Sequence, residues 1–118
     1  MAFHNDLGKN GEMLASRFLE TKGYSIVCQN WRFAHYEIDI IATKGKKLHF
    51  IEVKTRSSAL YGHPEESVTK RKFRHLKNAA DEYLFLNPGH RWIQYDIVSI
   101  TLKKNAAPEF FLLEDVYL

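Results

Sequence analysis

A chain of 118 residues, 45% hydrophobic and 14% aromatic, has the size and composition of one domain (residues 1–118) that buries its own core. Its formal net charge of +3 is mildly basic, so a polyanionic partner is compatible with the composition but not required by it. No segment approaches the roughly 18 apolar residues of a membrane span, and "MAFHNDLGKNG" lacks the pattern of a secretory signal. Because the single Cys28 has no cysteine partner, the composition indicates a reducing cytoplasm.

The first predicted element is a helix from about Asn5 to Lys22. Apolar residues recur there at helical spacing, and Gly23 follows as the expected C-terminal cap. Glu12 lies at the border of the apolar stripe, where an acid is usually solvated.

Three strands are predicted next. "YSIVCQNWRF" and "YEIDIIA" are rich in β-branched and aromatic residues, and "KKLHFIEVKT" resumes after the turn signal "TKGK". The middle of the chain is therefore expected to be a meander.

A second helix is predicted from about Glu65 to Leu86, where "NPG" ends it. "RWIQYDIVSITL" and "EFFLLEDVYL" are the last two predicted strands. The order of helix, three-stranded meander, helix and two strands places the chain in the α/β (α+β) class.

The hairpin "EIDIIATKGKKLHFIEVKTR" carries charges where a sheet usually has apolar side chains. If Gly45 and Lys46 form its turn, Asp39 faces Glu52 and Glu37 faces Lys54. If the turn lies one residue earlier, Asp39 and Glu52 are diagonal neighbours on the same face. Both registers bring the charges together.

Charged residues that alternate along a strand usually lie on the solvent-exposed face of an antiparallel sheet. Here, however, large apolar residues share that face. Ile41, Leu48 and Phe50 alternate with the charges, so a helix is expected to cover this face. Two opposed carboxylates there repel each other unless a cation lies between them. Mg²⁺, or Mn²⁺, bound by Asp39, Glu52 and the Val53 carbonyl is a simple solution.

Lys54 lies two residues beyond Glu52 on the same face. Beside such a metal it could hold a phosphate or help to orient and deprotonate a water. The arrangement suits phosphodiester hydrolysis.

Asp39, "IEVK" on the next strand and a glutamate in the first helix together resemble the PD-(D/E)xK nucleases of the restriction-endonuclease-like superfamily. The ordered segments "GEMLASRFLETKGYSIVCQNWR", "EIDIIA", "FIEVKTR" and "VTKRKFRHLKNAADEYL" resemble the YraN family, UPF0102, which is similar to Holliday junction resolvases. This resemblance implies a restriction-endonuclease-like core with a mixed central sheet flanked by helices. Tyr36 departs from the family pattern, which usually has Gly there, and could narrow the approach to the site.

The resemblance also implies site residues. It assigns Asp39, Glu52 and Lys54 to the catalytic centre, with Glu12 as an additional acid and Lys72 as a basic residue of the second helix. From the residues alone, Glu37 either pairs with Lys54 or flanks the metal.

Basic residues are concentrated at the start of the second helix. Lys70, Arg74 and Lys77 form a stripe there, which is usually a solvated face but is here a candidate phosphate contact because no acid interrupts it. Lys72 borders the apolar stripe, where a lysine more often extends along the core edge than binds a ligand. The nucleic-acid-binding set predicted here is Lys70, Lys72, Arg74, Lys77 and Arg56.

Other motifs are weak. The six histidines lack the spacing of zinc ligands. Trp31 and Trp92 could stack on bases, but tryptophans in strands more often lie in the core.

Two functions remain, of which the sequence favours the first, and a third is weaker. The first is a Mg²⁺-dependent endonuclease of the resolvase type acting on branched or structured DNA. The second is a non-catalytic nucleic-acid-binding module that retains the nuclease fold. The third is an interaction subunit that pairs "EFFLLEDVYL" with another chain through an open sheet edge, with a homodimer among the assemblies this allows.

Overall fold

The computed structural model describes residues 3–57 and 69–117, with side chains from residue 11 onward. The elements are α1 (Phe3–Thr21), β1 (Ser25–Phe33), β2 (Tyr36–Lys44), β3 (Lys47–Arg56), α2 (Lys70–Leu86), β4 (Trp92–Thr101) and β5 (Glu109–Leu113). This mixed α/β order confirms the predicted class. Neither helix within the described ranges has the length and apolarity that crossing a bilayer requires.

The five strands form one mixed sheet in the order β1-β2-β3-β4-β5. The β3–β4 pair is parallel because α2 connects these strands as a crossover, and the other pairs are antiparallel. The mixed sheet flanked by helices is therefore confirmed.

The helices cover opposite faces of this sheet. Ala15 and Leu19 of α1 pack with one set of strand residues, which includes Ile51. Leu76 of α2 packs with another set, which includes Phe50. Because neighbouring residues of a strand point to opposite faces, Glu52 and Lys54 share the α2 face with Phe50.

Gly23 ends α1 as predicted. Its φ of +94° suits glycine, its amide donates to the Glu20 carbonyl at 3.1 Å, and the Tyr24 amide donates to the Leu19 carbonyl at 3.1 Å. This pair of bonds is the Schellman motif, and Tyr24 and Leu19 join the same core cluster.

The β2–β3 hairpin adopts the first of the two registers considered. Its paired residues run from Lys44 and Lys47 next to the turn to Ile40 and Ile51. Gly45 lies in the turn with a φ of +62°. The next step of this register brings Asp39 and Glu52 together.

Two predicted boundaries are wrong. The helix start near Glu65 is too early because Thr69 is extended, caps the helix and accepts a hydrogen bond from the Lys72 amide at 3.2 Å. The part of the prediction from 65 to 68 lies outside the described residues. The last strand ends at Leu113, short of the predicted Leu118, because the chain turns back toward β4, where the Val116 amide donates to the Tyr95 carbonyl.

Candidate active site

A pocket of about 330 Å³ lies on the α2 face, between the β2–β3 hairpin and α2. Acidic, basic and aromatic side chains line it together: His35, Tyr36, Glu37, Asp39, Glu52, Lys54, Lys72, His75 and Leu76. The structure thus brings Asp39, Glu52 and Lys54 to one face, as the alternation of strand residues predicts.

Asp39 is held against β3 by a hydrogen bond from the backbone. The Val53 amide donates to Oδ2 of Asp39 at 2.8 Å. Burial, followed by the negative charge of Glu52, raises the pKa of Asp39 to about 7, although the bond from Val53 opposes this shift. The site therefore holds a carboxyl group that gives up its proton near neutral pH.

Glu52 lies between like and opposite charges. Its Oε1 is 3.8 Å from Nζ of Lys54, and both side chains are about three-quarters buried, being 24% and 27% exposed. Burial raises the pKa of Glu52, whereas the charges of Lys54 and Lys72 act in the opposite direction. Glu52 is consequently close to cations from two different elements.

Lys72 points from α2 into this pocket. A hydrogen bond with Lys54 and the charge of Lys54 lower the pKa of Lys72, and Glu52 partly offsets them. The two lysine amino groups are therefore neighbours, which favours an anion near them. Lys72 lines the pocket, a position that is compatible with a role in ligand binding as well as with extension along the core edge.

Glu12 approaches the two carboxylates from α1. At Gly11 the helix lies so close to β3 that an added Cβ would be 2.1 Å from Oγ1 of Thr55. The charge of Glu12 raises the pKa of both Asp39 and Glu52, although Glu12 is not among the residues that line the pocket.

Glu37 does not take Lys54 as its ion-pair partner. Its Oε1 is 3.2 Å from Nη2 of Arg32, and the two side chains are exposed. The reason is the pairing of β1 with β2, which places Arg32 directly opposite Glu37. Glu37 still lines the pocket, and its charge raises the pKa of Asp39.

Sequence reasoning did not assign His35 and His75 to the site. His75 lies three residues after Lys72, so the spacing of neighbours on a helix could have placed it beside Lys72. His35 lies in the turn before β2, where the sequence gives no corresponding signal. Tyr36 lines the pocket, in agreement with the idea that it narrows the approach.

The basic stripe lies apart from the acidic pocket. Lys70, Arg74 and Lys77 are exposed and line a separate pocket of about 230 Å³ that is also lined by Asp81. Arg56 ends β3, and its Nε is 3.4 Å from Oγ1 of Thr101. Of the predicted nucleic-acid-binding residues, only Lys72 shares the pocket of Asp39.

The oxygen donors of the site are few. Among residues 3–57 and 69–117, no three side chains of His, Cys, Asp or Glu are grouped so that they could hold a metal ion. Asp39 and Glu52 contribute carboxylate oxygens to the pocket, and oxygen is the ligand atom that Mg²⁺ prefers.

The chain resembles known proteins over most of its length. The model of "Uncharacterised protein family UPF0102" matches residues 11–100. The chain belongs to the UPF0102 family. A UPF0102 protein of Flavobacterium psychrophilum is 48% identical over 100 residues, which cover 85% of this chain and 84% of that protein. A UPF0102 protein of Rhodococcus jostii is 39% identical over 119 residues, which cover 99% of this chain and 100% of that protein.

A UPF0102 protein of Bacteroides thetaiotaomicron is 44% identical over 100 residues, which cover 85% of this chain and 83% of that protein. The UPF0102 match spans Glu12, Asp39, Glu52, Lys54 and Lys72, so every residue placed in or next to the acidic pocket lies in the family region. The names of these UPF0102 relatives state no activity.

Proposed function

We propose that this chain is a metal-dependent endonuclease of the resolvase type, which hydrolyses phosphodiester bonds in branched or structured DNA. The observation that carries the proposal is the meeting of two carboxylates, Asp39 and Glu52, with two lysines, Lys54 and Lys72, in one pocket. Phosphodiester hydrolysis needs acids for a metal and cations for a phosphate, and this pocket offers both.

The donor set fits Mg²⁺ or Mn²⁺. Asp39 and Glu52 would hold the ion with the Val53 carbonyl, and waters would complete its coordination. The negative charge of Glu52 makes ionisation of Asp39 less favourable, and a divalent cation would relieve this effect. When bound, the ion would supply the positive charge that activates a water and stabilises the reacting phosphate.

The lysines and Glu12 have separate roles in this proposal. Lys54 and Lys72 would hold phosphate oxygens, which takes advantage of two adjacent amino groups. Lys54, in contact with Glu52, is also placed to orient an attacking water. Glu12 would add negative charge behind the two carboxylates and so favour the bound cation.

DNA beyond the scissile phosphate would contact α2. Lys70, Arg74 and Lys77 project from the exposed side of this helix, next to the turn that carries Lys72. Together with Arg56 at the end of β3, they would neutralise backbone phosphates without reading sequence.

One observation favours the non-catalytic module as a second candidate. Lys54 lies 3.8 Å from Glu52, so the chain's own cation already compensates part of the negative charge. A protein that used the pocket only to bind nucleic acid would keep the lysines and need no metal.

A cleavage assay separates these candidates. Purified wild type, Asp39→Asn, Glu52→Gln and Lys54→Met are incubated with four-way, flap and linear DNA and with RNA, in Mg²⁺ or Mn²⁺. We expect the wild type to cut structured DNA and each variant to lose at least about 100-fold in rate. Glu37→Gln is the matched control, because it removes an acid of the same pocket that pairs with Arg32.

Two results would contradict the proposal. If wild type binds DNA but cuts none of these substrates, the non-catalytic module is the better description. If cutting persists equally in all three variants, a contaminant is responsible and the assigned site is wrong. Metal titration by calorimetry complements the assay, because Asp39→Asn should weaken Mn²⁺ binding and Lys54→Met should not.

A further inference from the structure

A second pocket, of about 460 Å³, lies at the other end of β3. His49 is part of its wall and shares the α1 face with Ile51, whereas the acidic pocket is on the α2 face. The two pockets therefore lie on opposite faces of the sheet. We call this one the His49 pocket, after its most buried titratable residue.

A hydrogen-bond network fixes the His49 ring. Nδ1 of His49 is 2.6 Å from Oδ2 of Asp96, which is fully buried. Oδ1 of Asp96 accepts from Nε2 of Gln94 at 3.0 Å and from the Asp115 amide at 2.9 Å. Tyr24 packs edge-on against the imidazole, with ring centroids 4.9 Å apart. These contacts leave the ring one orientation.

The other ring nitrogen, Nε2, is unpaired among the residues that the structure describes. Within the described part of the chain, Nε2 of His49 makes no hydrogen bond, although the residue is only 3% exposed. Buried polar atoms almost always have a partner, so this atom calls for a water or a ligand.

Cations dominate the rest of the wall. Lys44, Lys46 and Lys47 line the pocket and are exposed, against the single carboxylate of Glu114. Nζ of Lys44 lies 5.0 Å above the ring of Tyr24, and Nζ of Lys47 donates to Oε1 of Gln94 at 3.2 Å. This excess of ammonium groups favours an anionic ligand.

Trp92 completes the wall with an aromatic surface. Its side chain is 58% exposed at the start of β4, which contradicts the core position expected for it. An exposed indole beside a cluster of lysines offers a stacking surface for a planar ring.

We propose that the His49 pocket binds a nucleoside phosphate, with the phosphate on the lysines and the base on Trp92. A volume of about 460 Å³ is of the size that small-ligand pockets have. The site is separate from the Asp39 pocket and needs neither its metal nor its carboxylates, so it stands whether or not the chain cleaves DNA.

Calorimetry with simple probes tests this site. Wild type is titrated with AMP, adenosine and inorganic phosphate in buffer that contains a chelator. AMP should bind more tightly than either fragment. Trp92→Ala should weaken AMP binding at least about fivefold and leave phosphate binding unchanged, since it removes only stacking. Trp92→Phe should retain the affinity for AMP within about threefold because it keeps an aromatic face.

The contribution of the lysine charges is tested with Lys46→Gln. This variant should weaken the binding of both AMP and phosphate by about threefold or more. Lys104→Gln, in the turn between β4 and β5, is the matched control and should change neither. Asp39→Asn should also leave AMP binding unchanged.

Three outcomes would overturn the proposal. The first is the absence of saturable AMP binding up to about 5 mM. The second is binding that is indifferent to both Trp92→Ala and Lys46→Gln. The third is binding that Asp39→Asn abolishes, which would place the nucleotide in the acidic pocket.

Discussion

Oδ2 of Asp39 accepts a hydrogen bond from the Val53 amide at 2.8 Å, just beyond the last ladder pair of β2 and β3. A side chain thus partners a strand amide at the point where the regular pairing ends. This bond holds the Asp39 carboxylate against β3, the strand that carries Glu52.

Asp39→Asn should stabilise the metal-free protein at alkaline pH. Burial and Glu52 raise the pKa of Asp39 to about 7, above an unfolded value of about 3.9. A group whose pKa is raised by folding stabilises the protein at pH values below its pKa in the unfolded state. This stability is lost as the pH rises through its pKa in the folded state. Chemical denaturation in the presence of a chelator measures the free energy of unfolding of both proteins. The difference in favour of the variant should grow by about 1–3 kcal/mol between pH 5 and 8.5.

Asparagine keeps an oxygen for the Val53 amide, so this variant changes charge rather than hydrogen bonding. Glu37→Gln, at an exposed acid, is the control and should show a smaller change. Millimolar Mg²⁺ should stabilise wild type and not the Asp39 variant. If the difference in stability between the variant and wild type did not grow with pH, the raised pKa assigned to Asp39 would be wrong.

Asp96→Asn should destabilise the protein at neutral pH and reduce its sensitivity to acid. Burial alone would raise the pKa of Asp96, but hydrogen bonds from His49, Gln94 and the Asp115 amide outweigh it and lower the pKa. A lowered pKa gives stability that is present above the unfolded value and is lost as pH falls through the folded one.

Asparagine offers one acceptor oxygen where the carboxylate has two, so a buried partner loses its hydrogen bond. Such a loss costs about 1–3 kcal/mol, and we expect a destabilisation of that order at pH 7. Urea denaturation from pH 7 to 3 provides the measurement. Asp115→Asn is the control, because its carboxylate is exposed and only its amide contacts Asp96. Equal losses in the two variants would show that the buried carboxylate has no special role.

Gly11→Ala should destabilise the fold because a Cβ there would be 2.1 Å from Oγ1 of Thr55. Overpacking of this kind costs about 1–3 kcal/mol. Thr55→Ala removes the clashing oxygen, so the double variant should recover much of the loss in thermal denaturation. If the losses of stability in the two single variants simply added in the double variant, the contact between position 11 and Thr55 would not be the cause of the destabilisation.

DNA binding should distinguish the pocket lysine from the exposed stripe. Replacing Lys70, Arg74 or Lys77 with Ala should weaken binding to DNA of unrelated sequences about equally. The magnitude of the slope of the logarithm of the binding constant against the logarithm of salt concentration should fall by about one for each phosphate that is no longer neutralised. Lys72→Ala should weaken binding as well and, in addition, slow cleavage, because Lys72 lines the acidic pocket. Fluorescence anisotropy at several salt concentrations measures the slope, and an unchanged slope would identify the stripe as a solvated face.

The sequence was most informative about the β2–β3 hairpin and least informative about contacts across β3 and β4. The hairpin is local, so the turn at Gly45 and the alternation of residues were enough to bring Asp39 beside Glu52. His49 and Asp96 belong to parallel strands joined by a long crossover, whose register no turn residue specifies. Their contact was therefore not predictable.

Helix boundaries show the same dependence on local signals. Gly23 marked the end of α1 because a C-terminal cap needs a left-handed residue. Thr69 was a usable N-cap signal before α2, but the apolar spacing that extends upstream to Val68 concealed it. For Lys72, spacing on the helix left two orientations open, and only the packing of α2 on the sheet selects the one toward Glu52.

The parallel pairing of β3 with β4 also has a consequence for folding kinetics. A hairpin closes over a short chain segment, whereas β4 can join β3 only after the α2 crossover has been spanned, so the hairpin is expected to form first. Asp39 and Glu52 would then meet before Lys72 arrives with α2. Their repulsion would oppose an early step, so Asp39→Asn should speed refolding, while loss of the Asp96 contacts, formed late, should mainly speed unfolding.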